Sequence, residues 1–494
     1  MASSSVPFTG LFIDGQYRPA SDNGTYEVHN PFTREVVGHA AAATAKDCQD
    51  AVEAAARAYK TWENSPLSVR RDVFLKASEL LNTDKWKKKV TEALQQEVSA
   101  TEFMVIFNFF LSTNGLRVDA GAVDQLKGET YVSMLPGGQV TTQRRAMGVI
   151  YAISPWNVPT ALTVRAFAVP IICGNTVVLK SSESSPRSQA LMAELLHEAG
   201  LPNGVLNIIS TRRVDSPPRS AEIIAHPAVR KINFTGSSVV AKKLAAEAAK
   251  YLKPCVFELG GKAPVIVLED ADIDRAARAI TSSALVNSGQ ICMSTERVIV
   301  MRKVAPALLA ALKTHFSKLK AGGPGLPLSA LFTEASAQRF VGLLDEALSK
   351  GAKLVVGDRQ AKGGVVQPHI VTDVTADMRI WNEESFAPNI ILHQVDTVDE
   401  AIEYANKSDY SLMAAVWTKD VYNAYETAAR IHSGTVNING PTVHTEMGMA
   451  GNGVGSLRGL GGDSGYGHFG VEDFTYTRVL SLHPKENQQY PLVG

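Results

Sequence analysis

The chain has little that suits a membrane, a nucleic acid or an oxidising compartment. Its 494 residues include only four cysteines, Cys48, Cys173, Cys255 and Cys292. They are too few and too scattered for a disulfide framework, and no C-x-x-C pair or H-E-x-x-H stretch offers metal-ligand spacing, so no metal is expected. Lysine plus arginine (49) equals aspartate plus glutamate (49). With no basic excess there is no electrostatic footprint for nucleic acid, and with no acidic run there is no solvated tail. The charge-free run Ala146–Val164 contains Pro155, Asn157 and Pro159 and reads as buried strand plus loop, not a bilayer span. The first seven residues lack the basic cluster and apolar core of a secretory signal. A reduced, cytoplasmic enzyme of two or three domains is expected.

What is present is alternation. From Gly148 onward, short β-branched runs (Gly148–Ile153, Thr176–Leu179, Val205–Ile209, Val229–Phe234) are separated by helical patterns such as Ser188–Ala199 and Val239–Tyr251. Strands separated by helices imply right-handed crossovers and a mostly parallel sheet covered on both faces. The alternation restarts after Glu258, with strands at Val265–Leu268, Arg297–Met301 and Leu412–Trp417. Helices are expected at Ile273–Asn287, Ala305–Leu319 and Val398–Asn406. This predicts two α/β domains meeting near Pro254–Gly261, with the glycine-rich stretch Gly448–Gly470 as an irregular segment near the end of the second. The polar run Gln139–Gln143 and the apolar run Val479–Leu482 are candidates for strands that project and pair with another subunit.

Three segments carry chemistry. In Ser288-Gly-Gln-Ile-Cys-Met-Ser294, a glycine-containing turn delivers Cys292 between small residues, accessible to a substrate. A nucleophilic cysteine reacts as thiolate and needs a base or a local field; the competing reading is an inert buried thiol. In Phe257-Glu-Leu-Gly-Gly-Lys-Ala-Pro264, Glu258 precedes a glycine pair where the backbone can approach other groups closely, as a general base or merely as a loop carboxylate. In Ser154-Pro-Trp-Asn-Val-Pro159, the Asn157 amide stands at a strand end, where open α/β sheets bind ligands. With the Cys292 backbone N–H it could hold an oxyanion, or it could simply suit a turn.

Together with Gly174–Lys180, Phe234–Ser237 and Glu383–Phe386, these segments resemble the aldehyde dehydrogenase superfamily in order and over essentially the whole chain. Val164–Pro170, Gln290–Arg297 and Asn439–His444 look like the salicylaldehyde and vanillin dehydrogenases, which oxidise aromatic aldehydes. The resemblance implies two doubly wound Rossmann-like α/β domains plus a small β oligomerisation extension. Residues 1–127 and 147–257 would form the NAD-binding domain and 258–446 the catalytic domain. Residues 128–146 and 475–494 would form the oligomerisation segment of a homodimer or homotetramer, and 447–474 a glycine-rich segment near the active site.

The resemblance also implies a mechanism. Cys292 attacks the aldehyde to give a thiohemiacetal, hydride passes to NAD, and water activated by Glu258 hydrolyses the thioester. Members that acylate coenzyme A lack this glutamate. The cofactor residues implied are Ser154, Pro155, Trp156, Lys180, Ser182, Glu183, Gly236, Ser237, Val240, Leu259, Glu384 and Phe386. Glu183 would accept from a free ribose 2′-hydroxyl and repel a 2′-phosphate, favouring NAD over NADP. Val158, Leu162 and Arg165 would share one helix face lining the aldehyde tunnel, opposite Ile291 and Met293.

Arg165 replaces an aromatic residue of many aliphatic-aldehyde members. It is expected either to bind a phenolic oxygen or stack on an aromatic ring, or to pair with a structural carboxylate. Further departures are Ala241 and Ala387 in place of glycines, a short loop at Lys320–Leu328, and Tyr476 where a helper glutamate often stands. Alternatives to an aromatic substrate are an aliphatic aldehyde or a semialdehyde; alternatives in class are a coenzyme A-acylating enzyme or an inactive NAD-binding relative.

Overall fold

Val149–Ile153, Thr176–Lys180, Leu206–Ile209 and Val229–Thr235 become parallel strands because each is a β-branched run with almost every residue buried. The computed structural model describes residues 6–323, 325–446, 459–484 and 492. Those four strands form the centre of an eight-stranded sheet. In spatial order it runs Gly465–Tyr466, Cys255–Glu258, Val229–Thr235, Val149–Ile153, Thr176–Lys180, Leu206–Ile209, Leu11–Ile13 and Gln16–Arg18. Side chains alternate between its faces, as a period of two requires. Ile150, Ala152, Val177 and Leu179 meet the helices Pro159–Ile172 and Pro186–Glu198, whereas Val149, Tyr151 and Val178 meet Ala45–Trp62 on the opposite face.

A second, seven-stranded sheet has the order Lys353–Val356, His369–Thr372, Asn389–Val395, Thr295–Met301, Ala263–Val267, Met413–Trp417 and Thr435–Ile438. Val265, Val267, Val298 and Val300 pack against helices Ile273–Leu285 and Ala305–Lys318, and Ile266 and Ile299 against Val398–Asn406. Both faces of both sheets are covered. Only residues 259–262 separate the last parallel strand of the first sheet from the central strand Ala263–Val267 of the second.

Two expectations needed correction. The helix starting at Ile273 stops at Leu285, because Asn287 and Ser288 take left-handed conformations (φ 51° and 56°) that break the helix and aim the chain toward Cys292. The glycine-rich end touches both units: Gly465–Tyr466 pairs antiparallel with Phe257 and Glu258 of the first sheet, while Leu460 and Ser464 bond to Ser411, just before a strand of the second. Gly465 permits the pairing with a φ of 80° and a backbone so close to Phe257 that a Cβ would meet its carbonyl oxygen at 2.3 Å. Residues 447–458 of that segment lie outside the described residues.

The runs at Gln139 and Val479 form a separate three-stranded antiparallel sheet of Thr130–Val132, Gln139–Ala146 and Thr475–Leu482, with Gln139 opposite Leu482 and Ala146 opposite Thr475. Its outer strands leave Val132, Val479, Leu480 and Leu482 exposed. Tyr476 sits here, partly exposed, its hydroxyl accepting a hydrogen bond from Arg478.

Candidate active site

Strand pairing brings the distant segments together. Ala263 pairs with Thr295, so the residues just before each strand, Gly260–Lys262 and Ile291–Ser294, must run side by side. They approach as closely as backbone can. A Cβ on Gly261 would lie 1.9 Å from the Cys292 carbonyl oxygen, and one on Gly289 (φ 76°) would lie 2.2 Å from the Ala387 carbonyl oxygen. Gln290 then locks the turn: its Oε1 accepts from the Phe332 amide at 2.8 Å, its Nε2 donates to the Asn287 carbonyl at 3.0 Å, and its own carbonyl accepts from Asn157 Nδ2 at 3.0 Å.

A cavity of about 280 Å³ opens between the two sheets, and its walls include Pro155, Trp156, Asn157, Leu162, Glu258 and Cys292. Cys292 Sγ donates to Glu258 Oε1 at 2.8 Å. Burial, then the neighbouring Glu258 carboxylate, push the Cys292 thiol well above its ordinary range, so the resting sulfur carries its proton. The other oxygen of Glu258 accepts from Arg165 Nη2 at 2.6 Å. Asn157 keeps one amide hydrogen free, since an amide nitrogen carries two and Gln290 takes one.

The expected cofactor residues divide into two groups. Pro155, Trp156, Gly236, Ser237, Leu259, Glu384 and Phe386 line the cavity. Glu384 accepts from the Gly261 amide at 2.8 Å, and burial pushes its carboxyl up to about 8. Trp156 stacks on Phe332 at 4.0 Å and meets Phe386 edge-on at 6.1 Å. Lys180, Ser182 and Glu183 follow the neighbouring strand end, outside this cavity. The Lys180 ammonium is buried, and its hydrogen bond among the described residues goes to the Ser181 carbonyl at 3.0 Å. The Ser182 amide is tied to Gln189 Oε1 at 2.7 Å, and Gln189 Nε2 reaches the Pro155 carbonyl at 3.2 Å, so one side chain links both strand-end loops. Ser154 is buried beneath them, accepting from Thr163, and Val240 is exposed in the first turn of the helix Ser238–Ala249.

Of the residues expected to line an aldehyde tunnel, Leu162 is on the wall of this cavity. Val158 and Ile291 are buried in the core beneath the cavity, and Met293 packs beside them, none of the three being among its walls. Arg165 is also withdrawn: its guanidinium is turned into Glu258 and Thr235, because a buried cation must find a counter-charge. Of the two expectations for Arg165, pairing with a carboxylate is therefore the one observed, and that carboxylate is Glu258.

Sequence reasoning passed over the parts that support these residues. Lys262 and Glu296 form a buried ion pair; Lys262 Nζ also donates to the Glu383 carbonyl at 2.6 Å, and Glu296 accepts from the Ser385 amide at 3.0 Å. That pair fastens the segment carrying Glu384 and Phe386 to the turn after Glu258. The signal was in the text, since Lys262 and Glu296 each lie four residues after Glu258 and Cys292, but only the strand register reveals that they meet.

The fold and this site define an aldehyde dehydrogenase, and comparison with known proteins agrees: the aldehyde dehydrogenase family model matches residues 17–480, and the chain belongs to that family. It is 42% identical over 489 residues to the vanillin dehydrogenase of Pseudomonas sp. (strain HR199 / DSM 7063), covering 98% of this chain and 99% of that one. It is 38% identical over 493 residues to the salicylaldehyde dehydrogenase of Pseudomonas putida, covering 98% and 99% of the two chains. The crystal structure of a salicylaldehyde dehydrogenase from Pseudomonas putida G7 complexed with salicylaldehyde superposes with a TM-score of 0.93 at 37% identity, covering 98% of this chain and all (100%) of that one.

The close backbone approach at Gly261 is directly testable. Gly261→Ala should lower kcat/KM about 100-fold, because even a 1 Å displacement of the Cys292 backbone spoils the attack geometry. Gly342→Ala, on a helix where the added methyl meets nothing within 4 Å, is the control and should leave activity intact. Full activity in Gly261→Ala would show that the crossing is not tight in solution.

Proposed function

We propose that this enzyme oxidises an aromatic aldehyde to the carboxylic acid with NAD as hydride acceptor. The observation that carries the reading is Cys292 Sγ at 2.8 Å from Glu258 Oε1, with both groups on the wall of a cavity shared with Asn157. The aromatic preference is supported by the likeness to vanillin and salicylaldehyde dehydrogenases and by the flat, apolar walls of Trp156, Leu162 and Phe386.

The residues fit a dinucleotide. A buried Lys180 ammonium with donors to spare and the nearby Glu183 carboxylate suit ribose hydroxyls. The helix beginning at Ser238 has no side-chain cap, so its first amides are free for a pyrophosphate. Glu384 and Phe386 face the cavity near Cys292, where the second ribose and the nicotinamide would be held. The chemistry a bound nicotinamide supplies is acceptance of hydride.

The protein's own groups do the rest. Cys292 Sγ bonds to the aldehyde carbon as its proton passes to Glu258 Oε1. The free hydrogen of Asn157 Nδ2 and the Cys292 amide receive the oxyanion. At the thioester stage Glu258, having released the thiol's proton to solvent, takes a proton from water, the hydroxyl adds to the acyl carbon, and the Cys292 sulfur leaves and regains a proton from Glu258 as the carboxylate is released. Water, not coenzyme A, is the acyl acceptor because a base stands 2.8 Å from the sulfur.

We also assign residues 1–127 and 147–257 to cofactor binding and 258–446 to catalysis. The exposed apolar edge at Val479, Leu480 and Leu482 supports assembly into a homodimer or homotetramer. Free thiols at all four cysteines suit the cytoplasm, and no helix among the described residues is long and apolar enough to cross a membrane.

Four measurements test this reading. An aldehyde panel with NAD, followed as NADH absorbance, should rank benzaldehyde-type substrates above straight-chain and semialdehyde ones; the reverse order removes the aromatic assignment. Cys292→Ala should abolish NADH formation, whereas Glu258→Gln should retard the hydrolytic half more than the first, leaving at most a single turnover. Glu183→Ser should narrow the preference for NAD over NADP by removing the charge that repels a 2′-phosphate; an unchanged ratio would place the adenosine elsewhere. Light scattering should give a dimer or tetramer, and Leu482→Lys should shift it toward monomer.

A further inference from the structure

Arg165 stands apart from every other charged side chain near the site. It lies within the helix Pro159–Ile172, a span whose remaining residues are all uncharged, and it is only 6% exposed. Among the described residues one nitrogen, Nη2, makes both of its hydrogen bonds, to Glu258 Oε2 at 2.6 Å and to Thr235 Oγ1 at 2.8 Å. Thr235 and Glu258 are register partners on adjacent parallel strands, so the guanidinium straddles the two strand ends. Phe469, near the end of the glycine-rich stretch, closes over it with its ring centre 5.2 Å from the guanidinium carbon.

We propose that Arg165 is a positioning residue: it holds the Glu258 carboxylate ionised and turned toward Cys292. The inference rests on the reading of Cys292 as nucleophile and Glu258 as base. The geometry divides the carboxylate between two neighbours, Oε2 to Arg165 and Oε1 to the thiol. Removing the cation would leave a buried carboxylate without a counter-charge, and such a group takes up a proton and ceases to be a base. The thiol proton, and later the water proton, go to Glu258 Oε1, the oxygen that faces the reaction.

The charged groups facing the Glu258–Cys292 pair are Arg165 from the helix and Glu384 from the segment before Phe386. Glu384 is itself pushed up to about 8, and Lys262 is occupied by Glu296 and the Glu383 carbonyl. Arg165 is thus the cation that sets the state of Glu258.

The test compares the wild type, Arg165→Met, Arg165→Lys and Glu258→Gln with NAD and benzaldehyde from about pH 5.5 to 9.5, reading kcat, KM for NAD and the pre-steady-state burst of NADH. In Arg165→Met the acid limb of the kcat profile should move up by about 1–3 pH units, because burial without the cation favours the neutral acid. KM for NAD should stay within about twofold, since the side chain makes no contact expected with the dinucleotide. Arg165→Lys restores a cation and should bring the acid limb back toward the wild type, with kcat still lowered about tenfold because an ammonium on a shorter stem cannot bridge Glu258 and Thr235 as the guanidinium does.

An Arg165→Met profile superimposing on the wild type would overturn the inference. Should that variant fail to fold, Arg165→Lys decides alone: lowered kcat with unchanged KM for NAD supports the positioning role, and unchanged kcat overturns it. Full turnover in Glu258→Gln would instead strike the parent reading of Glu258 as base.

Discussion

Everything at the site depends on how two parallel strands of the second sheet are aligned. With Ala263 opposite Thr295, the three residues before one strand and the four before the other have no freedom to part. Glu258 terminates a strand of the first sheet, and after four linking residues the chain is already committed to the second. Cys292 enters the same place from the opposite side of the register. A slip by one residue would turn every side chain of Ala263–Val267 to the other face and break the packing of Val265 and Val267 on one side and Ile266 on the other. Hydrophobic packing therefore fixes where a sulfur and a carboxylate meet.

The backbone crossing shows why glycine is needed at two of these places and nowhere interchangeable. Gly261 leaves room for the Cys292 carbonyl, and Gly289 leaves room for that of Ala387 while its φ of 76° turns the chain. A methyl group at either would push the nucleophile away from the amides and the carboxylate that surround it. Around this crossing the protein buries two ion pairs. Isolated buried pairs are costly, because desolvation of two ions offsets much of their attraction. Each here has an additional fastening: Lys262 with Glu296 also binds the Glu383 carbonyl and the Ser385 amide, and Arg165 with Glu258 also binds Thr235. Each pair thus holds a chain segment in place, one carrying Glu384, the other carrying the base.

Much of this was legible in the string of residues. The alternation of β-branched runs with helical ones placed the strands it named to within a residue or two, since buried parallel strands read as continuous apolar runs, but it passed over His369–Thr372, Asn389–Val395 and Thr435–Ile438. The order of short motifs pointed to Cys292, Glu258 and Asn157, which the structure gathers around one cavity. What the sequence could not convey was direction. Helical spacing placed Arg165 on a face with Val158 and Leu162, but spacing does not say which side chain reaches back to a carboxylate 93 positions later. The same limit hid the pairing of Gly465–Tyr466 with the first sheet, because two residues of a glycine-rich stretch carry no period of their own. It also hid the end of the helix at Leu285, where left-handed Asn287 and Ser288 override a pattern that continues on paper.

The remaining step concerns where one proton rests. Cys292 and Glu258 are two acids in contact, and burying both as anions would set like charges side by side. One proton must lie between them, and burial together with the carboxylate keeps it on sulfur. Arg165 acts on both partners at once: its charge favours the carboxylate it touches and, at longer range, lowers the cost of a thiolate. The transfer from sulfur to Glu258 therefore moves negative charge within the field of one fixed cation instead of creating it in apolar surroundings. A protonated sulfur at rest is also a poor target for stray electrophiles, because the thiolate is the reactive form. The sulfur becomes nucleophilic as it attacks, and the carboxylate that receives its proton is already in place to return it.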